Sequence, residues 1–242
     1  MFDYFVFFVL MTLIGSIGSG IGGMLGGIVR VNKKWKISAI MDITSGIMTG
    51  IVCLDMIPES INAYNKLVCL LGIILGTILI LIIDMFVVKF NKENNKITSL
   101  IIMLSMAIHN MIEGLAIGCS FSYSYDLGIA VMISIILHDI PEGMVVGITN
   151  KLDDFKLKDI IINSALVGSF MGLGAGIGKI IGGISEKCLS LGLSIAAGAM
   201  LYVVACNLIP DSKKLSNNRL ISIFYIIGII LSLLIFFNWH ST

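Results

Sequence analysis

The sequence predicts an all-α membrane protein of eight transmembrane helices, and three observations predict it: the apolar composition, eight long apolar runs, and an internal repeat. Of the 242 residues 57% are apolar and only 13% charged, with a mean hydropathy of +1.02. Soluble domains carry about a quarter of their residues as charges, so this chain lacks the polar surface to cover a water-facing core. A hydrocarbon layer about 30 Å thick takes about 20 helical residues. The chain supplies such runs near 4–29, 38–58, 67–88, 98–120, 127–149, 159–182, 188–209 and 219–239. The runs are continuously apolar rather than alternating in ten-residue pieces, which selects helices over a barrel.

The basic residues set the orientation. Thirteen of the sixteen Lys and Arg fall in odd-numbered connections: Arg30, Lys33, Lys34 and Lys36, then Lys89, Lys92 and Lys96, then Lys151, Lys156 and Lys158, then Lys213, Lys214 and Arg219. Only Lys66, Lys179 and Lys187 remain for the even ones. By the positive-inside rule the odd connections face the cytoplasm and both termini lie outside, in what is expected to be the cell membrane. The net charge of +1 and the short basic runs carry no polyanion-binding stripe, so nucleic acid is not an expected partner. The first run lacks the basic region of a cleavable signal and ends at Arg30, so it is expected to stay as the first span. Five scattered cysteines with no CxxC spacing read as small core residues.

Sliding the chain against itself by 152 positions aligns Gly46, Met48, Pro58, Glu59 and Ser60 with Gly198, Met200, Pro210, Asp211 and Ser212. The same shift aligns Gly20, Gly22 and Gly26 with Gly172, Gly174 and Gly178, and Gly76 with Gly228. Spans one to three therefore resemble spans six to eight, and a displacement of five spans inverts the second copy in the membrane. The expected organisation is one transmembrane domain over 1–242: repeat one at about 4–88, two central helices at about 98–149, repeat two at about 159–239. This is a 3+2+3 arrangement around spans four and five. Inverted repeats are a recurring construction of secondary transporters, with the site near the midplane. Pro58 and Pro210 are expected to end their helices.

The chemistry sits on spans four and five. His109-Asn110-Met111-Ile112-Glu113-Gly114 and His138-Asp139-Ile140-Pro141-Glu142-Gly143 share the pattern His-(Asn/Asp)-x-x-Glu-Gly. In a helix i and i+4 share a face, so each helix presents an imidazole and a carboxylate together. Two of the chain's three histidines occupy these matched places. A buried charge at mid-membrane costs about 2.5–3.5 kcal/mol even on a lenient scale, and a bound divalent cation offsets it. Hydrogen bonding between helices would explain one lone histidine; two matched faces point to a metal. Two imidazoles and two carboxylates, with Asn110 and Asp139 oxygens at hand, suit zinc, iron(II) or manganese and suit copper(I) poorly.

With these motifs the sequence resembles the ZIP (Zrt- and Irt-like) divalent metal transporters, in particular their GufA-like prokaryotic branch, over the whole chain. The resemblance implies that His109, Glu113, His138 and Glu142 hold the transported ion, and that Asn110 and Asp139 contribute to an adjacent part of a binuclear site. It makes Met48 the soft ligand of span two, and it puts Asp55 at the position of an outer-entrance ligand. Zn2+ or a similar ion is then the substrate, with no catalytic cofactor, and the expected process is gradient-driven alternating access toward the cytoplasm, one repeat-derived bundle moving against the other. Similar proteins are often dimers, so a homodimer is an expected assembly. Ile112 stands where the family usually has Pro, and Met171 where many GufA-like proteins have a span-six Glu, which removes a carboxylate from the second metal position. The alternative is an intramembrane metallohydrolase or a metal sensor without flux. Zinc proteases place Glu directly after the first His, whereas here Asn110 and Asp139 follow, so the protein is not expected to be an enzyme.

Overall fold

The computed structural model describes residues 4–28, 34–93 and 98–240, so Arg30, Lys33 and Lys96 lie outside the described residues. Among the described residues there is helix and no strand. In chain order the helices are α1 Tyr4–Ile28, α2 Lys34–Ile51, α3 Ile57–Ala63, α4 Lys66–Glu93, α5 Thr98–Tyr123 and α6 Tyr125–Leu152, then α7 Leu157–Gly182, α8 Glu186–Tyr202, α9 Ile209–Leu215 and α10 Ile223–His240. Starts are marked by serine caps: Ser124 Oγ accepts from Leu127 N at 3.0 Å and Ser185 Oγ from Cys188 N at 3.2 Å. The turn between α6 and α7 is closed by Asp154 at φ 63°, a left-handed position that Asp tolerates.

Among the described residues, five rods are long and apolar enough to cross a membrane: Tyr4–Ile28, Lys34–Ala63, Lys66–Phe86, Leu157–Gly182 and Glu186–Leu215. The second and fifth of these contain the largest departure from sequence expectation. Pro58 and Pro210 do not end their helices. Each is preceded by a π turn, Val52–Met56 and Val203–Leu208, in which Ile57 N and Ile209 N reach back to the carbonyls of Val52 and Val204. A proline in a regular helix removes a donor and clashes with the carbonyl four residues back. The wider π turn makes room for the ring, and the rod continues as α3 or α9. Pro141 likewise lies inside an unbroken α6.

Packing falls into two groups. Helices α1, α5, α6 and α7 contact one another extensively, as do α2, α4, α8 and α10 with the short α3 and α9. Each group thus takes helices from both halves of the chain, and the central pair α5 and α6 belongs to the first group.

Within the first group the backbones meet at glycines. A Cβ at Gly22 or Gly26 of α1 would strike the carbonyls of Ile140 and Met144 on α6; a Cβ at Gly174 or Gly178 of α7 would strike those of Met111 and Leu115 on α5. These contacts map onto each other by the shift of 152 for the outer helices and of 29 for the central pair. Hydrogen-bonded serines obey the same shift: Ser38 Oγ lies 2.8 Å from Ser212 Oγ, and Ser60 Oγ lies 3.1 Å from Ser190 Oγ. Small residues at crossings allow the close approach on which helix association in lipid depends.

A contrast on α7 tests this packing. Gly174→Ala forces a methyl onto the Met111 carbonyl, whereas Gly176→Ala meets only the Phe8 ring at ordinary contact distance. Gly174→Ala should cost about 1–3 kcal/mol, seen as a lowered melting temperature in detergent, while Gly176→Ala should melt no lower than the parent.

Candidate metal centre

The glycine crossings hold α5 and α6 on their neighbours so that the motif residues turn inward. The i, i+4 spacing brings His109 Nε2 to 3.0 Å from Glu113 Oε1, and the crossing of the two helices brings it to 3.2 Å from Glu142 Oε1. These three residues are the one group of three or more metal-type donors among the described residues, their ligand atoms all within 4.8 Å of one another. They are sealed from the outside: His109 is 2% exposed, Glu113 0% and Glu142 2%. With the proton on Nε2, the ring donates toward both carboxylates.

The spacing also suits an ion. Zinc bound to imidazole nitrogen and carboxylate oxygen at about 2.0–2.2 Å in tetrahedral geometry separates its donors by about 3.4 Å. The observed 3.0 and 3.2 Å need only a slight opening to admit it. Further donor capacity faces inward: among the described residues, His109 Nδ1 and Glu142 Oε2 are buried and carry no hydrogen bond.

The other expected residues distribute as follows. Asn110, 1% exposed, turns to α7, where Nδ2 donates to the Val167 carbonyl at 3.4 Å, and its Oδ1 has no hydrogen bond among the described residues. Asp139, fully buried, turns to α1, its Oδ2 directly against Gly18. Neither belongs with the three clustered donors, because each follows its histidine by one residue and so points about 100° away around the helix. The His138 side chain lies outside the described residues. Met48 is fully buried on α2, as is its repeat partner Met200 on α8. Asp55 lies in the first π turn, 6% exposed and apart from the cluster. Met171 is fully buried, with its carbonyl against Gly114, and packs beside the centre without offering a carboxylate.

Sequence reasoning missed a route to this centre. A cavity of about 430 Å³ has His109 in its wall together with Ser105, Asp84, Cys206, Asn207, Asp211 and Lys214. Asp84 accepts a 3.0 Å hydrogen bond from Tyr202 Oη, and Lys214 pairs with Asp211 at 2.7 Å. The signal for Asp211 was its place in the repeated Ile-Pro-acid-Ser segment, whereas Cys206 and Asn207 gain their position only through the second π turn. Cys53 and Cys206, expected in the core, are both exposed in these turns.

The ZIP Zinc transporter family model matches residues 88–236, a stretch that includes both motifs. The chain is 35% identical over 113 residues to Zinc transporter GufA of Myxococcus xanthus, covering 46% of this chain and 44% of the relative. It is 26% identical over 126 residues to Zinc transporter ZIP4 of Homo sapiens, covering 48% of this chain and 18% of the relative. The chain thus spans less than half the length of either curated relative it matches. With a family match running over most of its length and the three clustered donors within it, the chain belongs to the ZIP zinc transporter family.

Proposed function

We propose that the protein carries divalent transition-metal ions, zinc foremost and iron, manganese or cadmium as alternatives, across the membrane toward the cytoplasm, holding each ion in transit between α5 and α6. The observation that carries this reading is the convergence of His109, Glu113 and Glu142 in a sealed interior. Buried carboxylates without a compensating cation are costly in lipid, and nitrogen and oxygen donors at this spacing suit zinc. Both curated relatives are zinc transporters by name. The metal is substrate, and the protein's part is ligation rather than catalysis. Intramembrane hydrolysis is not favoured by any of these observations.

In this reading His138 completes the ligand set, Asn110 and Asp139 serve an adjacent position as the ion shifts, Met48 offers a soft donor from α2, and Asp55 lies at the outer entrance. The eight apolar runs of the sequence form eight spans in the 3+2+3 inverted arrangement, with both termini outside and a homodimer as the assembly. Contacts that recur under the shifts of 152 and 29 support the inversion. Lys214, next to the basic connection assigned to the cytoplasm, lines the cavity beside His109, which supports reading that cavity as the inward approach to the centre. Alternating access then moves the α1, α5, α6, α7 group against the other group. No helix repeat moves as a unit, because the two groups interleave both repeats.

Glu113→Ala or His138→Ala should abolish zinc or cadmium uptake into proteoliposomes while expression and detergent stability are largely kept; full transport by either variant would overturn the site. Competing zinc, iron, manganese and cadmium in the same flux assay rank the substrates. A membrane-impermeant thiol reagent applied from the cytoplasmic face should label Cys206 and slow flux. Cys206→Ser should transport normally and resist the reagent, and equal labelling from the outer face would contradict the assigned direction of the cavity.

A further inference from the structure

Outside the metal route lies a groove of about 540 Å³ walled by Met11 and Ile14 of α1, Phe121 of α5, Ile129 and Met132 of α6, and Lys179 of α7. Apart from the lysine and the Tyr125 phenol its wall is apolar, and no carboxylate lines it. The ammonium of Lys179 lies over aromatic rings beside the groove, 4.1 Å from the Phe7 ring centroid and 5.3 Å from that of Tyr4. Aromatic faces offset part of the cost of a cation in an apolar setting. They leave its charge uncompensated, and Lys179 pairs with no carboxylate among the described residues. Near a membrane surface such a lysine attracts anionic lipid headgroups.

The groove also breaks the internal symmetry of the fold. The shifts of 152 and 29 carry Met11 to Asn163, Phe121 to Asn150 and Lys179 to Gly27. At that opposite end Asn163 Nδ2 donates to Asn150 Oδ1 at 2.8 Å, a polar clasp in place of an apolar wall. The lysine and the apolar wall residues thus have no counterpart at the equivalent positions. Lys179 lies one turn before the end of α7 at Gly182, the end remote from the basic Lys156 and Lys158 connection. With the orientation proposed above, that is the headgroup border of the outer leaflet.

We propose that this groove is a binding site for an anionic glycerophospholipid, one acyl chain lying along Met11, Ile14, Ile129 and Met132 and the phosphodiester oxygens resting on the Lys179 ammonium. The two demands of the groove, apolar filling and one negative charge at its outer end, are met together by that ligand class. Because the walls come from α1, α5, α6 and α7 alone, the lipid belongs to the group that carries the metal centre. The proposal rests on the membrane orientation of the preceding section only for the choice of leaflet.

The test uses the full-length protein purified in neutral detergent, with phosphatidylglycerol and phosphatidylcholine of identical chains as probes and retained lipid counted by native mass spectrometry. Phosphatidylglycerol should be retained about fivefold more tightly than phosphatidylcholine, the factor that one lysine near an anionic headgroup contributes. Lys179→Gln should remove that preference, and Met132→Trp, which fills the slot, should reduce retention of both lipids. Zinc binding by Lys179→Gln should stay at the parent level, so loss of transport and loss of lipid are separable readings. Equal retention of the two lipids by the parent, an unchanged preference in Lys179→Gln, or a lipid-independent dimer cross-linked through Ile129→Cys would each overturn the proposal.

Discussion

The structure turns on the cost of keeping two carboxylates and an imidazole away from water in the middle of an apolar bundle. Glu113 and Glu142 share His109 within 3.0 and 3.2 Å, and each is essentially inaccessible. Such a cluster is tolerable only while a positive charge sits in it. In the function proposed above a divalent ion supplies that charge; without one, a proton on His109 Nε2 is shared toward both carboxylates. Everything else in the bundle serves to hold three side chains on two helices to this spacing.

Glycines supply that precision. Gly22 and Gly26 seat α1 on α6, Gly174 and Gly178 seat α7 on α5, and Gly114 and Gly143 accept carbonyls of Met171 and Ser19 in return. Backbone-to-backbone contact leaves little freedom to slide, so the four helices form a rigid frame for the centre. The second group also meets at glycines, Gly46 against the Tyr225 carbonyl and Gly76 against that of Ile195. It differs in that two of its rods carry a π turn; Cys206 and Asn207 of the second turn line the cavity, and Asp55 of the first is buried.

Much of this was legible in the chain itself. The helical class followed from eight continuous apolar runs, the repeat from the recurrence of Ile-Pro-acid-Ser, and the centre from two histidines each four residues before a glutamate. Spacing within a helix is a local property, and for His109 and Glu113 it sufficed. The approach of Glu142 to His109 needed the crossing of α5 and α6, which sequence spacing does not encode. Asn110 and Asp139 follow from the same spacing: a single-residue step around the helix turns them away from the three donors, toward α7 and α1, in keeping with their expected place at an adjacent position rather than in the cluster itself. The prolines misled for a related reason. Pro58 and Pro210 oppose a regular helix, but a π turn absorbs the misfit, and only the surrounding packing decides between ending the rod and widening it.

The most direct test of the account is the position of a zinc ion in crystals of the metal-loaded protein, located by anomalous scattering at the zinc edge. The account places the peak between His109 Nε2 and the carboxylates of Glu113 and Glu142, at about 2.0–2.2 Å from each donor. A zinc peak elsewhere in the bundle, with His109 still bridging the two glutamates as in the metal-free centre, would contradict it.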